Sequence, residues 1–559
     1  MILRVKSRHR IMFIVYKNNR LERILIGVNV LASLAVAGSF VALFGFDKPL
    51  LETRVLYAVQ GALLCVFIAE KIIRYFNAAS KQEFWATNWF EVPIFIGLAA
   101  TVLVVSLKAD WFDLARPQVL RTRHIAVGIY LVSQVIIKIS RTTINLAATG
   151  RSPTWTLIGS FLVLIICGAG LLCLPKASTG KPLAFIDALF TATSATCVTG
   201  LTVKDTGSDF TLMGQLVILG LIQLGGLGIV VFGAVFALLL GQALSLRETV
   251  AMQDLLSAPT LGRIRNMIAF VFVGTIVCEA IGAVSLFGMW DDVPGWTGSV
   301  QQQWFYSIFH SISAFCNAGF SLFSNSLQSY NRRPQVYIVI CPLIILGGLG
   351  FSVLYNLANV LADRIKRFFK GLFITPSPIA IESREGPSPS MPKKLRLQTK
   401  IVLAVSGALI VLGTGAILLF EHYAGTSAHN PGILGALFQS ITARTTGFNT
   451  VEISALSAPS RFILILLMFV GGSPGSTAGG IKTVTLAVII MTVIAALRKR
   501  QEVEIFKRSI RIVVVGRAIT VTLLFVVVLF TATLALSITE TNAVSSEDPT
   551  SKMTFSDIF

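Results

Sequence analysis

Charged residues are scarce in this sequence. Asp, Glu, Lys and Arg together make up 13% of the 559 residues, whereas an average soluble protein contains about 25%. Hydrophobic residues account for 54% of the chain, and the mean hydropathy is +0.76. This composition excludes an ordinary soluble domain. It predicts a polytopic membrane protein whose length comes from many membrane-spanning helices.

Acidic residues are especially few, with 27 Asp and Glu against 47 Lys and Arg, for a net charge of +20. Such a charge can indicate nucleic-acid binding, but no basic stretch is interleaved with aromatic residues in the usual pattern. We therefore expect no nucleic-acid partner. The basic residues concentrate in short loops, which are expected to face the cytoplasm. These loops span residues 6–23, 138–151, 247–265, 364–400 and 498–517.

The sequence also lacks the side-chain patterns of catalysis. Its seven cysteines lie mostly in apolar segments, and their spacing fits no zinc site. No acid–base pair, nucleophile or metal-ligand constellation is evident. We expect neither an enzyme nor a covalently bound cofactor. The basic N-terminus has no small-residue cleavage site, so its first apolar run is interpreted as a retained helix.

Apolar runs of about 20 residues predict an all-α polytopic membrane protein. Four predicted spans come first, at 24–46, 55–76, 89–107 and 124–140. Three helix pairs follow: 155–174 with 211–240, 267–290 with 336–362, and 401–420 with 461–497. A last helix is predicted at 513–537. These runs predict three helix–pore-loop–helix units preceded by an extra four-helix bundle, and the family resemblance described below implies a pseudo-fourfold repeat of such units, with the fourth incomplete. Its parts are the N-terminal extension (1–150), pore repeats one (151–245) and two (246–365), a cytoplasmic linker (366–400), repeat three (401–500) and partial repeat four (501–559).

Three turns, one in each helix pair, share a pattern in which an apolar helix runs into small residues and a glycine. The glycines, Gly200, Gly319 and Gly447, lie 119 and 128 residues apart. Glycine permits a positive φ, and rings of carbonyls can replace the hydration shell of an ion. The negative C-terminal end of the preceding helix also favours a cation. The candidate ion-filter residues are Cys197, Val198, Thr199, Gly200, Leu201, Cys316, Asn317, Ala318, Gly319, Phe320, Thr445, Thr446, Gly447 and Phe448.

A glycine-rich segment interrupts the second helix of the third unit. It resembles a phosphate-binding loop only superficially, because Ile481 separates Gly480 from Lys482. Non-helical backbone at membrane depth must be covered by protein or line water, so we expect a plug or gate in the ion path. The alternative is a helix kink from which Lys482 extends toward the membrane surface. The candidate gate residues are Gly471, Gly472, Ser473, Gly475, Ser476, Thr477, Gly479, Gly480 and Lys482.

Two further charges fall inside apolar segments. Arg444 directly precedes the third turn, and we expect it to brace that turn by hydrogen bonds to backbone carbonyls or to a nearby acid. Direct contact with the ion is disfavoured, because a cation in the pore wall would repel it. Glu279 either tunes the attraction of cations or is a satisfied carboxyl in a helix contact. Gly-Gly-Leu-Gly runs at 225–228 and 347–350 are explained by close helix packing.

At these motifs the chain resembles the Trk/Ktr/HKT superfamily of potassium transporters, and its KtrB/TrkH branch in particular. The resemblance rests on residues 199–201, 317–320, 442–449 and 471–483, and it covers roughly residues 150–559. It implies filter glycines at Gly200, Gly319 and Gly447 and an intramembrane gating loop at 471–483. It also implies a homodimer, cytosolic nucleotide-binding regulatory subunits of the TrkA/KtrA type, and uptake of potassium, with sodium as a companion ion, through the plasma (inner) membrane.

The last and first parts of the chain depart from that pattern. Residues 555–559 resemble residues 185–189 at the start of the first pore helix, so a fourth filter glycine is expected at about position 570, past the last residue. This expectation favours a truncated transporter over a three-unit subunit that acts with another polypeptide. It also leaves open a non-conducting structural or regulatory fragment.

The first part of the chain raises a different alternative. Residues 70–76 and 88–91 faintly resemble a voltage sensor, but Arg116, Arg121 and Arg123 precede a helix without Lys or Arg. We therefore favour a structural or regulatory bundle over a voltage-sensor-linked cation channel subunit.

Overall fold

The computed structural model of the chain describes residues 17–88, 91–107, 122–135, 153–228, 264–290, 299–373, 394–424 and 431–547. Within these residues the fold is helical apart from one two-stranded hairpin and short turns. Residues 374–393 of the predicted linker (366–400), the predicted continuation of the first unit at 229–240 and the predicted start of the fourth pore helix at 555–559 lie outside the described residues.

The N-terminal helices lie close to the predicted spans. They are α1 (Asn19–Phe44), α2 (Thr53–Asn77), α3 (Lys81–Asn88), α4 (Glu91–Leu107) and α5 (residues 122–135). Asn18 caps α1, because its side chain accepts hydrogen bonds from the N–H groups of Arg20 and Leu21. The short helix α3 was not predicted, because its sequence is too polar to be recognised as a membrane span.

The remaining helices follow in groups separated by turns. The first group is α6 (Pro153–Leu172), α7 (Phe185–Cys197) and α8 (Leu212–Leu227). The second is α9 (Ile264–Leu286), α10 (Val300–Phe315), a π-helical turn (Val336–Ile340) with α11 (Cys341–Leu349), and α12 (Phe351–Phe373). The third is α13 (Leu397–Ala424), α14 (Gly432–Thr442), α15 (Ala458–Phe469) and α16 (Thr483–Leu497), and α17 (Ile512–Glu547) completes the series.

The predicted continuous helix at 336–362 is wrong, because the chain bends by 105° between α11 and α12. The bend lies at Gly350, whose φ is +84°. The hydroxyl of Ser473 occupies the space that a Cβ at this glycine would need. A segment from the third group therefore sits in the break, which explains why the helix does not continue.

A hairpin joins α16 to α17 and was not predicted. Its strands are β1 (Val503–Ile505) and β2 (Arg508–Ile510), paired antiparallel with Glu504 opposite Ser509. Ile505 is buried against α13, α16 and α17. Strands of three residues give too short an alternation for sequence pattern to identify.

Five helices among the described residues are long and apolar enough to cross a membrane, and the bent pair α11–α12 makes a sixth candidate. The five are Arg20–Phe44, Thr53–Asn77, Asn266–Leu286, Leu397–Tyr423 and Ile512–Thr539. The largest buried clusters lie between the first and second groups and between the second and third. The cluster between the first and second groups includes Phe309 and Phe320. The cluster between the second and third groups includes Phe315, Phe438 and Phe448.

Candidate functional site

Three short helices, α7, α10 and α14, each end in one of the predicted glycine turns. In every turn the backbone takes a positive φ twice, at the glycine and at the residue two positions before it. The values are +58° and +78° at Val198 and Gly200, +59° and +69° at Asn317 and Gly319, and +82° and +94° at Thr445 and Gly447. Left-handed conformations at non-glycine residues are uncommon. Their recurrence at one position shows that the three turns share a backbone path.

The three turns adjoin one another in sequence order. A Cβ added to Gly200 would lie 2.5 Å from the carbonyl oxygen of Ala318 and 3.3 Å from Cα of Gly319. A Cβ added to Gly319 would overlap the carbonyl oxygen of Thr446 and lie 3.2 Å from Cα of Gly447. Backbone therefore contacts backbone between turns one and two and between turns two and three.

The glycine-rich ends of α8 and α11 support these turns from behind. A Cβ at Gly225 would lie 2.7 Å from the carbonyl carbon of Thr196, and one at Gly347 would lie 3.1 Å from that of Phe315. Thr196 and Phe315 occupy the same position, two residues before the positive-φ residue of their turns. The Gly-Gly-Leu-Gly runs thus permit close contact of α8 with the end of α7 and of α11 with the end of α10.

The glycine-rich segment after α15 forms a closed loop. Val470 and Ile481 form a parallel β-bridge, and the N–H of Gly471 donates to the carbonyl of Ile481 at 3.0 Å. Lys482 folds back onto the loop, where its Nζ donates to the carbonyl oxygens of Ala478 at 2.6 Å and Gly479 at 3.4 Å. The Lys482 charge is therefore partly satisfied by the loop itself.

The tip of this loop fills the break between α11 and α12. The Ser473 N–H donates to the carbonyl of Gly348 at 2.9 Å, and the Phe351 N–H donates to the carbonyl of Gly475 at 3.0 Å. The Ser473 hydroxyl also donates to the carbonyl of Leu349. These bonds satisfy backbone groups that both broken helices leave unpaired, which non-helical backbone at membrane depth requires.

Asn317 joins the second turn to both the loop and the third turn. Its side-chain amide lies 2.8 Å from the hydroxyl of Thr477 and 2.8 Å from that of Thr446. In the amide orientation that satisfies all partners, its oxygen accepts from Thr477 and from the Gly348 N–H, and its nitrogen donates to Thr446. One side chain therefore connects three of the predicted functional segments.

Residues 122–559 match the family model described as TrkH, a cation transport protein. The chain belongs to the TrkH family. The resemblance deduced from the turns and the glycine-rich loop is thereby confirmed, and this TrkH-family chain is a multi-pass plasma-membrane protein of a transporter family rather than of an enzyme family.

Several relatives of this TrkH-family chain are potassium uptake proteins by name. Ktr system potassium uptake protein B of Bacillus subtilis (strain 168) is 40% identical over 400 residues, covering 69% of this chain and 80% of the relative. The Ktr system potassium uptake protein B of Vibrio alginolyticus is 36% identical over 403 residues, covering 70% of this chain and 80% of the relative. Potassium/sodium uptake protein NtpJ of Enterococcus hirae is 32% identical over 394 residues, again covering 70% and 80%.

Among solved structures, the potassium transporter TrkH from Vibrio parahaemolyticus matches with a TM-score of 0.51. The match covers 80% of this chain and 84% of that one at 17% identity, so it establishes the fold alone. Most of the N-terminal extension, up to residue 121, lies outside the residues that the family model matches.

Arg444 of the TrkH-family chain occupies the position before the positive-φ residue, where the first two turns carry Cys197 and Cys316. It is buried, with 8% of its surface exposed, and lines a small cavity beside Asn317 and Gly472. Its Nε has no hydrogen-bond partner among the described residues. The predicted bracing hydrogen bonds from this nitrogen are therefore not seen, although the side chain does lie against both the second turn and the loop.

Glu279, on α9, lies behind the second turn. Its Oε2 accepts a hydrogen bond from the side-chain amide of Gln223 on α8 at 3.2 Å, and its backbone carbonyl accepts one from Ser311. The Cys316 sulfur lies 4.0 Å from its Oε1. The carboxyl is thus engaged in a contact between the first and second groups, as one of the two sequence interpretations stated.

Sequence reasoning missed the aromatic support of the second turn. His310 is fully buried, with its ring 4.6 Å from that of Trp290 and 5.1 Å from that of Phe323, centroid to centroid. Its Nε2 lies 3.2 Å from the hydroxyl of Ser321, just beyond the turn. A histidine within the apolar helix α10 was the available signal, but its contacts arise only in the tertiary structure.

Proposed function

We propose that this chain mediates potassium uptake through a selectivity filter built from the backbone carbonyls of the three glycine turns. The packing of Gly200 against Ala318 and of Gly319 against Thr446 supports the proposal, because it gathers the turns where their oxygens can serve one ion. Carbonyl rings substitute for the water that a potassium ion sheds. The negative membrane potential would drive entry, with about 2.3 kcal/mol per charge for each 100 mV.

We further propose that the loop at 471–482 gates this path. Its bonds to Gly348, Leu349 and Phe351 and its contact with Asn317 support a position directly beneath the second turn. Opening would require the loop to release these bonds, whereas the filter turns would keep their packing. A rigid helix kink, the alternative, would leave flux unchanged when the loop is loosened.

Potassium uptake by the full chain tests the filter. Expressed in a host that lacks its own potassium uptake, a form of the chain that includes the expected fourth glycine turn is expected to restore growth at low potassium and raise the initial uptake rate. Gly319→Ser should reduce the preference for potassium over sodium, because a side chain there meets Thr446. Gly516→Ala, at a glycine with open space around it, is the control. Unchanged selectivity in Gly319→Ser would refute the filter assignment.

Substitution of Lys482 tests the gate. Lys482→Met removes the donor that ties the loop to Ala478 and Gly479, so uptake is expected to rise several-fold. Lys366→Met, on the exposed surface of α12, should leave it unchanged. If Lys482→Met transports as the parent does, the loop is a structural kink.

The resemblance supports two further parts of the proposal, a homodimer and cytosolic nucleotide-binding regulatory subunits, and the basic loops support an orientation with these loops inside. Light scattering on the purified protein tests the dimer, and nucleotide-dependent uptake after co-expression with such a subunit tests the regulation. Sodium transport is included as an alternative, since one relative is named a potassium/sodium uptake protein. A monomeric protein, or uptake indifferent to nucleotide, would overturn the corresponding part.

The alternative is a non-conducting structural or regulatory fragment. It predicts that the purified chain, reconstituted in vesicles with an inward potassium gradient, carries no flux while still melting cooperatively. A measurable flux that Gly319→Ser alters would exclude it.

A further inference from the structure

The hairpin between α16 and α17 carries a turn with unusual residues. Phe506 and Lys507 connect the two strands, with φ values of +51° and +62°. A two-residue hairpin turn with positive φ at both positions normally uses Asn-Gly or a similar pair. The backbone conformation of this turn is therefore unfavourable for both Phe506 and Lys507. Strained positions of this kind concentrate at functional sites.

The base of the hairpin is firmly held. Ile505 is 6% exposed and packs in a cluster with Ile401 of α13, Val488 of α16 and Val515 of α17. Val503 and Ile510 pack against the same cluster. The tip therefore projects from a rigid base, and Phe506 remains 54% exposed.

The hairpin and its flanks carry a strong positive charge. Six basic residues fall between the two helices, and all are exposed: Arg498, Lys499, Arg500, Lys507, Arg508 and Arg511. We call these six residues and Phe506 the hairpin patch. The acids in the same segment are Glu502 and Glu504. Glu504 lies 3.5 Å from Arg500, but both are about half exposed, so this pair contributes little.

The hairpin patch lies between two apolar helices, so we expect it at the depth of lipid headgroups. The helix before it ends at Leu497, and the membrane-spanning helix after it begins at Ile512. Strands of three residues extend about 10 Å, and the headgroup region is about 5–8 Å thick on each side of the bilayer. The tip therefore cannot reach far beyond the headgroups.

We propose that the hairpin patch binds anionic phospholipid headgroups, with the Phe506 ring inserted among them. Lys and Arg beside a membrane-spanning helix attract anionic lipids, and aromatic side chains favour the membrane interface. The short reach of the hairpin favours lipid over a cytosolic protein. Lipid bound here would contact α16, which continues directly from the proposed gate loop.

Lipid titration of the purified full chain tests the proposal independently of transport. The protein, in a neutral detergent, is titrated with phosphatidylglycerol or phosphatidylcholine while its melting temperature and apparent affinity are measured. Phosphatidylglycerol is expected to raise the melting temperature more than phosphatidylcholine. High salt should abolish the difference, because the Debye length falls to about 3 Å at 1 M.

Charge removal localises the binding. Lys507→Gln/Arg508→Gln should weaken the apparent affinity for phosphatidylglycerol by roughly 25-fold, at about fivefold per charge. Lys181→Gln/Lys204→Gln removes the same charge from the turns around α7 and should bind as the parent does. Phe506→Ser should weaken binding without altering its salt dependence. This variant provides a second test of the hairpin patch if the double variant does not fold.

Three results would overturn the proposal. They are equal responses to the two lipids, parent-like binding by both hairpin variants, and equal losses in both charge-removal pairs. Capture of a cytosolic protein by the hairpin, without any preference for phosphatidylglycerol, would instead assign the patch to a protein partner and would also refute lipid binding.

Discussion

The amide of Asn317 and the hydroxyl of Thr477 lie 2.8 Å apart, although 160 positions separate them in the sequence. This bond joins the second glycine turn to the loop that fills the break between α11 and α12. Because Asn317 also contacts Thr446 of the third turn, movement of the loop would change contacts of the second and third turns together. The arrangement offers a physical route by which a gate could affect a filter.

The Asn317–Thr477 bond should couple the proposed gate to the filter. Thr477→Val is expected to raise potassium uptake several-fold, since the loop loses its contact with the second turn. In a double-mutant cycle with Asn317→Ala, we expect a coupling energy of about 1 kcal/mol. Thr492→Val, which removes a hydroxyl bonded only within α16, is the matched control. Additive effects of the two changes would contradict the coupling.

The glycines of the three turns, which we propose line the filter, should differ in their tolerance of alanine. At Gly319 a Cβ overlaps the carbonyl of Thr446, and at Gly200 it lies 2.5 Å from that of Ala318. At Gly447 the nearest atom is Cα of Gly319 at 3.8 Å, so the cost there comes from the positive φ alone.

We therefore expect Gly319→Ala to lose the most potassium-over-sodium preference, by about tenfold for about 1.4 kcal/mol of strain. Gly200→Ala should follow, and Gly447→Ala should lose the least. Competitive uptake of the two ions measures the series, with Gly516→Ala as reference. A reversed order would show that the turns do not pack as described.

The stability of the N-terminal helices α1 and α2 should depend on a buried ion-pair network. Arg74 lies 2.9 Å from a carboxylate oxygen of Glu22 and 2.7 Å from one of Glu70, and Glu70 is 1% exposed. Arg74→Gln leaves Glu70 buried without this cation, a change that costs about 3–5 kcal/mol. We expect earlier unfolding and faster proteolysis of the bundle.

Arg367→Gln is the control for that change. It breaks an i,i+4 pair with Asp363 whose arginine is 44% exposed, and it should cost less than about 1 kcal/mol. Equal losses of stability in the two variants would show that the buried ion pairs of Arg74 contribute no more to stability than an exposed pair does.

The loop after the first turn should be sensitive to acid. Partial burial raises the pKa of Asp205, but hydrogen bonds from the side chain of Ser324 and the N–H groups of Ser208 and Gly207 outweigh it, so the pKa is lowered. A lowered folded-state pKa stabilises the protein above the ordinary carboxyl value, and this contribution is lost as the pH falls through the folded pKa.

Asp205→Asn should therefore melt a few degrees below the parent at pH 7, and the gap should narrow below about pH 4, near the unperturbed Asp pKa. Asp47→Asn, in the exposed turn after α1, is the matched control for the loss of a carboxylate. A gap that stays constant with pH would show that the Asp205 carboxylate is not stabilised in the folded state.

The glycine turns illustrate how far pattern alone can reach. Gly200, Gly319 and Gly447 were recognisable because their lead-in residues repeat and because glycine marks a backbone that side chains would obstruct. The matching left-handed residues Val198, Asn317 and Thr445 were not recognisable as such, since three different side chains give no shared local signal. The same holds for His310 and Trp290, whose stacking needs two segments brought together.

Local composition determined the membrane location, the positions of most helices, the glycine turns and the interruption after α15, because hydropathy and backbone freedom are properties of short segments. Only the tertiary structure decided that the chain bends at Gly350, that Ser473 fills the break, and that Asn317 meets Thr477 and Thr446. Those contacts satisfy backbone and side-chain polar groups that broken helices leave unpaired in an apolar medium. Their partners are set by which distant segments pack together, and a linear pattern does not record that packing.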